Sequence, residues 1–168
     1  MVYLIGYMGV GKTTLAKLLA EQLQLSFCDT DQIIEQQEKR SIAEIFRKEG
    51  ELYFRMLETE LLEQYTSKGV VACGGGLPIH NNNMQLINSK GISIYLKASS
   101  NHLYNQLKDD KQDRPLIANI TNEELELYIG KELKNRSPFY ELSQHTILVD
   151  GKNKAEILRE VNALIFSL

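Results

Sequence analysis

Gly6, Gly11, Lys12 and Thr13 stand in the order Gly-x-x-x-x-Gly-Lys-Thr, with a third glycine, Gly9, inside the spacing. Each residue type has a task in holding a triphosphate. Glycines let the backbone curl until successive N–H groups point at phosphate oxygens, the lysine spans the β- and γ-phosphates, and the hydroxyl beside it takes a magnesium ion. This assigns Gly9, Val10, Gly11, Lys12, Thr13 and Thr14 to ATP, Lys12 to catalysis as well, and Thr13 to Mg²⁺. A glycine-rich turn matching by chance has no reason to join a strand to a helix, and this one does. Val2 to Ile5 is an apolar run of strand length, and Lys12 to about Leu23 carries Leu15, Leu18, Leu19 and Leu23 on one helical face. The helix start adds partial positive charge where phosphates would lie. The motif points to a nucleotide and leaves open whether water, a protein, a nucleotide or a metabolite receives the phosphoryl group.

Three further groups bear on the acceptor. Asp29 and Asp31 follow a predicted second strand, Leu25 to Cys28, at the carboxyl edge where open α/β sheets collect ligands. Read alone, the same aspartates serve equally well as helix caps. Arg55 lies on a long predicted helix, and Gly74, Gly75 and Gly76 end a third strand, where a ligand can approach backbone N–H groups closely.

The elements that must position these residues alternate along the chain. Helices are predicted over about 32–39, from the capping-box spacing Ser41 to Glu44 as far as Lys48, and over about 51–65. Strands are predicted over 70–73, 92–96 and 146–149, with helices over about 81–88, 101–108, 121–135 and 154–166. Five strands with intervening helices imply an α/β fold, a three-layer α/β/α domain with a five-stranded parallel sheet. The charged stretch from Asp109 to Pro115 has no apolar period and suits a surface lid, taken over about 109–120. One domain over 1–168 is expected, since no linker, repeat or low-complexity tract interrupts the chain.

Taken together, Gly6 to Thr13, Asp29-Thr30-Asp31, Ser41 to Phe46, Gly50 to Arg55 with Glu58, Gly74 to Gly76, Arg114-Pro115-Leu116 and Arg136 to Tyr140 resemble the shikimate kinase family. That family has the P-loop NTPase, nucleoside-monophosphate-kinase-like fold. The resemblance spans nearly the whole chain, and it implies ATP-dependent phosphorylation of the 3-hydroxyl of shikimate on the route to chorismate and aromatic amino acids. It further implies that Asp31 binds the substrate hydroxyls, that Arg55 and Arg136 bind its carboxylate, and that Gly74, Gly75 and Gly76 complete the substrate site. Glu58, one turn beyond Arg55, is placed to hold that guanidinium, and Phe46 and Phe54 are implied as apolar walls. Arg114 resembles the lid arginine that stabilises the leaving phosphoryl group, and Asp29 would act on Mg²⁺ through water. Two departures stand out. The strand before the glycines ends in Ala72-Cys73, where the family often has a hydroxyl, and the family's adenine-stacking arginine has no counterpart unless Lys108 serves. Lys152, near the last strand, is assigned to ATP in addition.

Composition narrows the rest. Lys+Arg 19 against Asp+Glu 22 gives net charge −3 with no long basic run, which argues against nucleic-acid and membrane partners. Cys28 and Cys73 both lie in apolar segments and read as buried thiols of a reduced, cytoplasmic protein, with a monomer as the default state. His80, His102 and His145 fall in no catalytic spacing and are expected at surface or strand-edge positions. Gluconate and nucleoside monophosphate kinases share the loop without the triple glycine and paired arginines. A GTPase switch would need an Asp-x-x-Gly element and an Asn-Lys-x-Asp motif, and Asn153-Lys154-Ala155-Glu156 lacks the final Asp.

Overall fold

The computed structural model describes residues 1–109 and 116–167. At its centre is β1 (Val2–Ile5), buried along its whole length. Strand β3 (Gly69–Ala72) pairs with it on one side and β4 (Ile92–Lys97) on the other, both in parallel. Strands β2 (Ser26–Asp29) and β5 (His145–Leu148) form the edges, giving the order β2-β3-β1-β4-β5. Hydrophobicity follows position. The three inner strands are largely apolar and carry no exposed residue, with Ser93 of β4 buried among them, because helices cover both faces, while β2 and β5 carry exposed residues. Leu4 and Ile5 have no exposed surface, so Ile5→Ala would cost about 2–5 kcal/mol.

Helices α1 (Lys12–Leu23), α5 (Asn83–Lys90), α6 (Ser100–Leu107), α7 (Asn122–Tyr140) and α8 (Lys154–Phe166) pack residues into the core around this sheet. Helices α2 (Thr30–Glu38), α3 (Ile42–Glu49) and α4 (Glu51–Gln64) enclose a smaller apolar cluster of Ile34, Ile45, Phe54 and Leu61. The Ser41 and Glu44 capping box forms as its spacing requires. All five strands run parallel, so their carboxyl ends share one edge, and the loops after β1, β2 and β3 meet there.

Several boundaries differ from those expected, most by one or two residues, and three differences have a local cause. Leu25 is 41% exposed and donates its N–H to Ala20, finishing the turn after α1, so β2 starts at Ser26. Asn81 and Asn82 take left-handed backbone angles, which asparagine tolerates, and α5 therefore begins only at Asn83. Helix α7 runs past Asn135 and through Pro138. Proline removes one backbone donor, but the turn beyond is kept by Glu141 N–H on Ser137 (2.8 Å) and by burial of Arg136 and Tyr140. A short 3₁₀ turn, Leu77–Ile79, follows the triple glycine. No helix among the described residues is long and apolar enough to cross a membrane. Both cysteines are buried and unbonded to one another.

Candidate active site

The loop leaving β1 takes conformations that side chains resist. Gly9 has φ 81° and Gly11 φ 95°, and a Cβ at Gly9 would press within 2.8 Å of Leu107 on α6. Gly11 is the N-cap of α1 and supplies no side chain to its first turn, whose N–H groups are therefore oriented for an anion. Lys12 is 9% exposed, and its Nζ donates to the carbonyls of Gly6 (2.8 Å) and Tyr7 (3.0 Å), drawing the ammonium over the loop. Thr14 is exposed on the first turn of α1.

Asp29 joins this loop to the next one. Its Oδ1 accepts from the N–H groups of Asp31 (3.1 Å) and Gln32 (3.4 Å), capping α2, while its Oδ2 accepts from the Thr13 hydroxyl at 2.7 Å. Helix capping and a place in the site are thus one arrangement. Among the described residues no three acidic, histidine or cysteine side chains form a metal cage. Mg²⁺ is ordinarily held through few protein oxygens together with waters and phosphates, so the Thr13 hydroxyl and Asp29 carboxylate fit it.

Asp31 points inward from the first turn of α2. Burial, seconded by the Asp29 charge, pushes its carboxyl up to about 6 against the pull of Lys12 and Arg55. Its Oδ1 crowds the position a Cβ would take on Gly74, and Glu58 Oε1 approaches the same point at 3.1 Å. Gly74 donates its N–H to Thr30 Oγ1 at 2.7 Å. Among the described residues, no hydrogen bond engages the N–H groups of Gly75 and Gly76. The Gly75 carbonyl accepts from the buried Tyr140 hydroxyl at 2.6 Å, which ties the glycine turn to α7. Gly76 lies under the Arg55 guanidinium, with no room for a Cβ.

The two arginines are held alike. Arg55 donates through Nε (3.1 Å) and Nη2 (2.8 Å) to Glu51 Oε1 and through Nη1 to Glu58 Oε2 (2.8 Å). Its guanidinium lies 5.8 Å from the Phe46 ring and 5.4 Å from that of Phe54. Burial pushes the Glu58 carboxyl upward while Arg55 pulls it back, and Glu58 Oε1 is buried without a hydrogen-bond partner. Arg136 donates through Nε (2.9 Å) and Nη2 (2.5 Å) to Glu132 and stands 5.4 Å from the Tyr7 ring. The i−4 glutamates of both arginines went unread in the sequence, although their spacing is the signal that finds them.

Asp31, Arg55, Gly75, Gly76 and Arg136 line one cavity of about 280 Å³, with Met8, Phe46, Phe54 and Leu116 as its apolar wall. Gly74 lies behind it. A second groove, about 520 Å³, runs from Gly9, Val10 and Gly11 to Lys152 and Asn153, and His102 and Gln106 of α6 also line it. Lys152 is bonded there to Glu160 at 2.6 Å. Lys108 lies instead over the Tyr104 ring at 5.7 Å and does not line the groove, and His102 sits in the groove rather than apart from it. Arg114 and residues 110–115 of the expected lid fall outside the described residues.

A glycine-lysine loop after the central strand of a 2-3-1-4-5 parallel sheet, facing a cavity of carboxylates and guanidiniums, belongs to the P-loop kinases of small acceptors. Comparison with known proteins narrows this class. The family model described as shikimate kinase matches residues 8–165. A shikimate kinase of Flavobacterium johnsoniae is 42% identical over 95% of this chain and 95% of its own. One of Flavobacterium psychrophilum is 37% identical over 98% of each. Among solved structures, shikimate kinase from Acinetobacter baumannii in complex with shikimate superposes with TM-score 0.89 and 36% identity, over 99% of this chain and 92% of that one. The enzyme from Bacteroides thetaiotaomicron gives 0.87 and 32%, over 98% and 97%. A gluconokinase from Sinorhizobium meliloti, 17% identical with TM-score 0.58, shares the fold alone. This chain belongs to the shikimate kinase family.

Proposed function

We propose that the protein transfers the γ-phosphoryl group of ATP to the 3-hydroxyl of shikimate, giving shikimate 3-phosphate and ADP, in the supply of chorismate and aromatic amino acids. The observation that carries this reading is the cavity itself. Its two buried guanidiniums suit a carboxylate, its half-buried aspartate suits vicinal hydroxyls, and the loop with Lys12 stands beside it.

Arg55 and Arg136 bind the substrate carboxylate, with N–H donors from Gly75 and Gly76, and Asp31 accepts from the ring hydroxyls. Gly74 serves at one remove, because its lack of a side chain makes room for Asp31 and Glu58. Lys12 and the N–H groups of residues 9–14 hold the phosphates, and Lys152 supports the nucleotide from the groove floor. Thr13 directly and Asp29 through water would hold Mg²⁺, which when bound offsets charge on the β- and γ-phosphates. Arg114 keeps the role its motif implies, that of stabilising charge as ADP leaves. The acceptor oxygen forms its bond to phosphorus as the bond to the ADP oxygen breaks, and the hydroxyl proton passes toward Asp31 or solvent. A loose transition state asks little of a base, so Asp31 contributes chiefly by positioning. The same reading makes the protein a cytoplasmic monomer with no nucleic-acid or membrane partner.

The test is ADP release from Mg-ATP with shikimate, gluconate and nucleoside monophosphates offered separately. Shikimate alone should stimulate release strongly. Release indifferent to shikimate would overturn the assignment.

A further inference from the structure

Glu51 and Glu58 both hold Arg55, and they hold it on different terms. Glu58 has 1% of its side-chain surface exposed and meets Nη1 from below, so it has nowhere else to go. Glu51 has 56% exposed and sits at the open end of α4, able to turn into water. Yet Glu51 occupies Nε and Nη2 together, one of the two edges through which a guanidinium grips a carboxylate with paired hydrogen bonds. On the other edge Nη1 already serves Glu58. An incoming carboxylate that is to take a paired grip on Arg55 therefore meets one partner that is fixed and one that can leave. The Glu51 charge also reaches past Arg55 toward Arg136 and His80, the neighbours that hold it low after Arg55 itself.

We propose that Glu51 is a built-in rival of the substrate carboxylate: it holds the Arg55 fork until substrate arrives, yields that edge by swinging into solvent, and so weakens substrate binding. The inference rests on the reading of Arg55 as a carboxylate ligand. Exchange at this edge is cheap because Glu51 is itself 56% exposed and regains water as the incoming carboxylate takes its place on Arg55, whereas stripping Glu58 would leave a buried charge alone. Glu51 thereby keeps Arg55 paired and extended between turnovers, at the expense of affinity.

Calorimetric titration of wild type, Glu51→Gln and Glu51→Ala with shikimate and with its methyl ester tests this, with circular dichroism to verify folding. Glu51→Gln and Glu51→Ala should lower the shikimate Kd by about two- to fivefold, the size expected when a solvent-screened carboxylate such as Glu51 stops competing. The ester carries no charge to compete for Arg55, and its Kd should stay within roughly twofold on the same scale. An unchanged or raised shikimate Kd in both variants overturns the proposal, as does equal tightening of shikimate and ester. Wild-type protein that binds neither ligand overturns the functional reading, and the proposal with it.

Discussion

The two sides of the cleft are built to hold anions by different means. On the nucleotide side the donors come from one contiguous backbone segment, residues 6–14, shaped by glycines with positive φ and by the start of α1. On the acceptor side most of the polar groups are side chains from α2, α4 and α7, each charge matched by a partner of opposite sign: Asp31 near Lys12 and Arg55, Arg55 with Glu51 and Glu58, Arg136 with Glu132. A backbone cradle accepts any phosphate chain that fits, and here it adds Lys12 as its one buried charge among the described residues 6–14. A side-chain wall must offset desolvation contact by contact, and the positions of its charges then select one substrate.

The strongest challenge to this division is Lys12→Ala. Its ammonium is buried over the loop and donates to loop carbonyls, so kcat should fall on the order of 10²- to 10³-fold, as for loss of one preorganised donor to a transferring group. The shikimate Kd, read by calorimetry without nucleotide, should hold steady. A parallel loss of shikimate affinity would show that the halves are not separable.

Asp31 sharpens the comparison through stability. Its carboxyl is pushed up to about 6 in the fold, above the ordinary aspartate value, so the folded chain binds the proton more tightly than the unfolded chain does. The contribution to stability is then complete below about pH 4 and is lost as pH rises through 6. At pH 8 Asp31→Asn should therefore stabilise the protein, by up to about 3 kcal/mol, while removing shikimate-dependent activity. Denaturant unfolding at pH 4 and pH 8 measures the difference. A variant equally unstable at both values would mean that Asp31 sits ionised at no cost, contrary to its burial.

The contrast between the halves also explains what the sequence disclosed. The shape of the glycine loop was legible because it lies in local spacing, and the strand and helix on either side follow from period alone. Glu58 was legible as the partner of Arg55 because i and i+3 share a helix face. Contacts that only the sheet brings together were not: Tyr140 on the Gly75 carbonyl, or α6 delivering His102 and Gln106 to the groove beside Lys152. Gly74 read as one more substrate-site residue because a glycine run looks uniform in sequence. Its N–H serves Thr30, and its missing side chain is what matters to Asp31. The extent of α7 was hidden by Pro138, an ordinary stop signal overridden by the burial of Arg136 and Tyr140 on one face.

Arg136→Lys tests the side-chain wall by geometry with the charge kept. Lysine cannot give Glu132 two donors from one rigid plane and still reach the cavity beside Gly75, so shikimate binding should weaken about 10- to 100-fold. ATP affinity should change little. Equal loss of both ligands would place Arg136 in the frame of the domain, outside the substrate site.

Lys152 should show the smallest effect and bears on where the nucleotide side ends. Unlike the buried Lys12, it lines the groove beyond the loop with 30% of its side-chain surface exposed, and its ammonium is paired with the half-exposed Glu160. Water screens such a charge, and its pair contributes about 0–1 kcal/mol. Lys152→Ala should thus raise the KM for ATP by about two- to fivefold and leave the shikimate Kd where it is. Glu160→Gln, which frees the ammonium to face the groove, should lower that KM by a similar factor. If Lys152→Ala instead cost as much as Lys12→Ala, the groove beyond the loop would hold the triphosphate as firmly as the loop does, and the nucleotide side would be a side-chain wall as well.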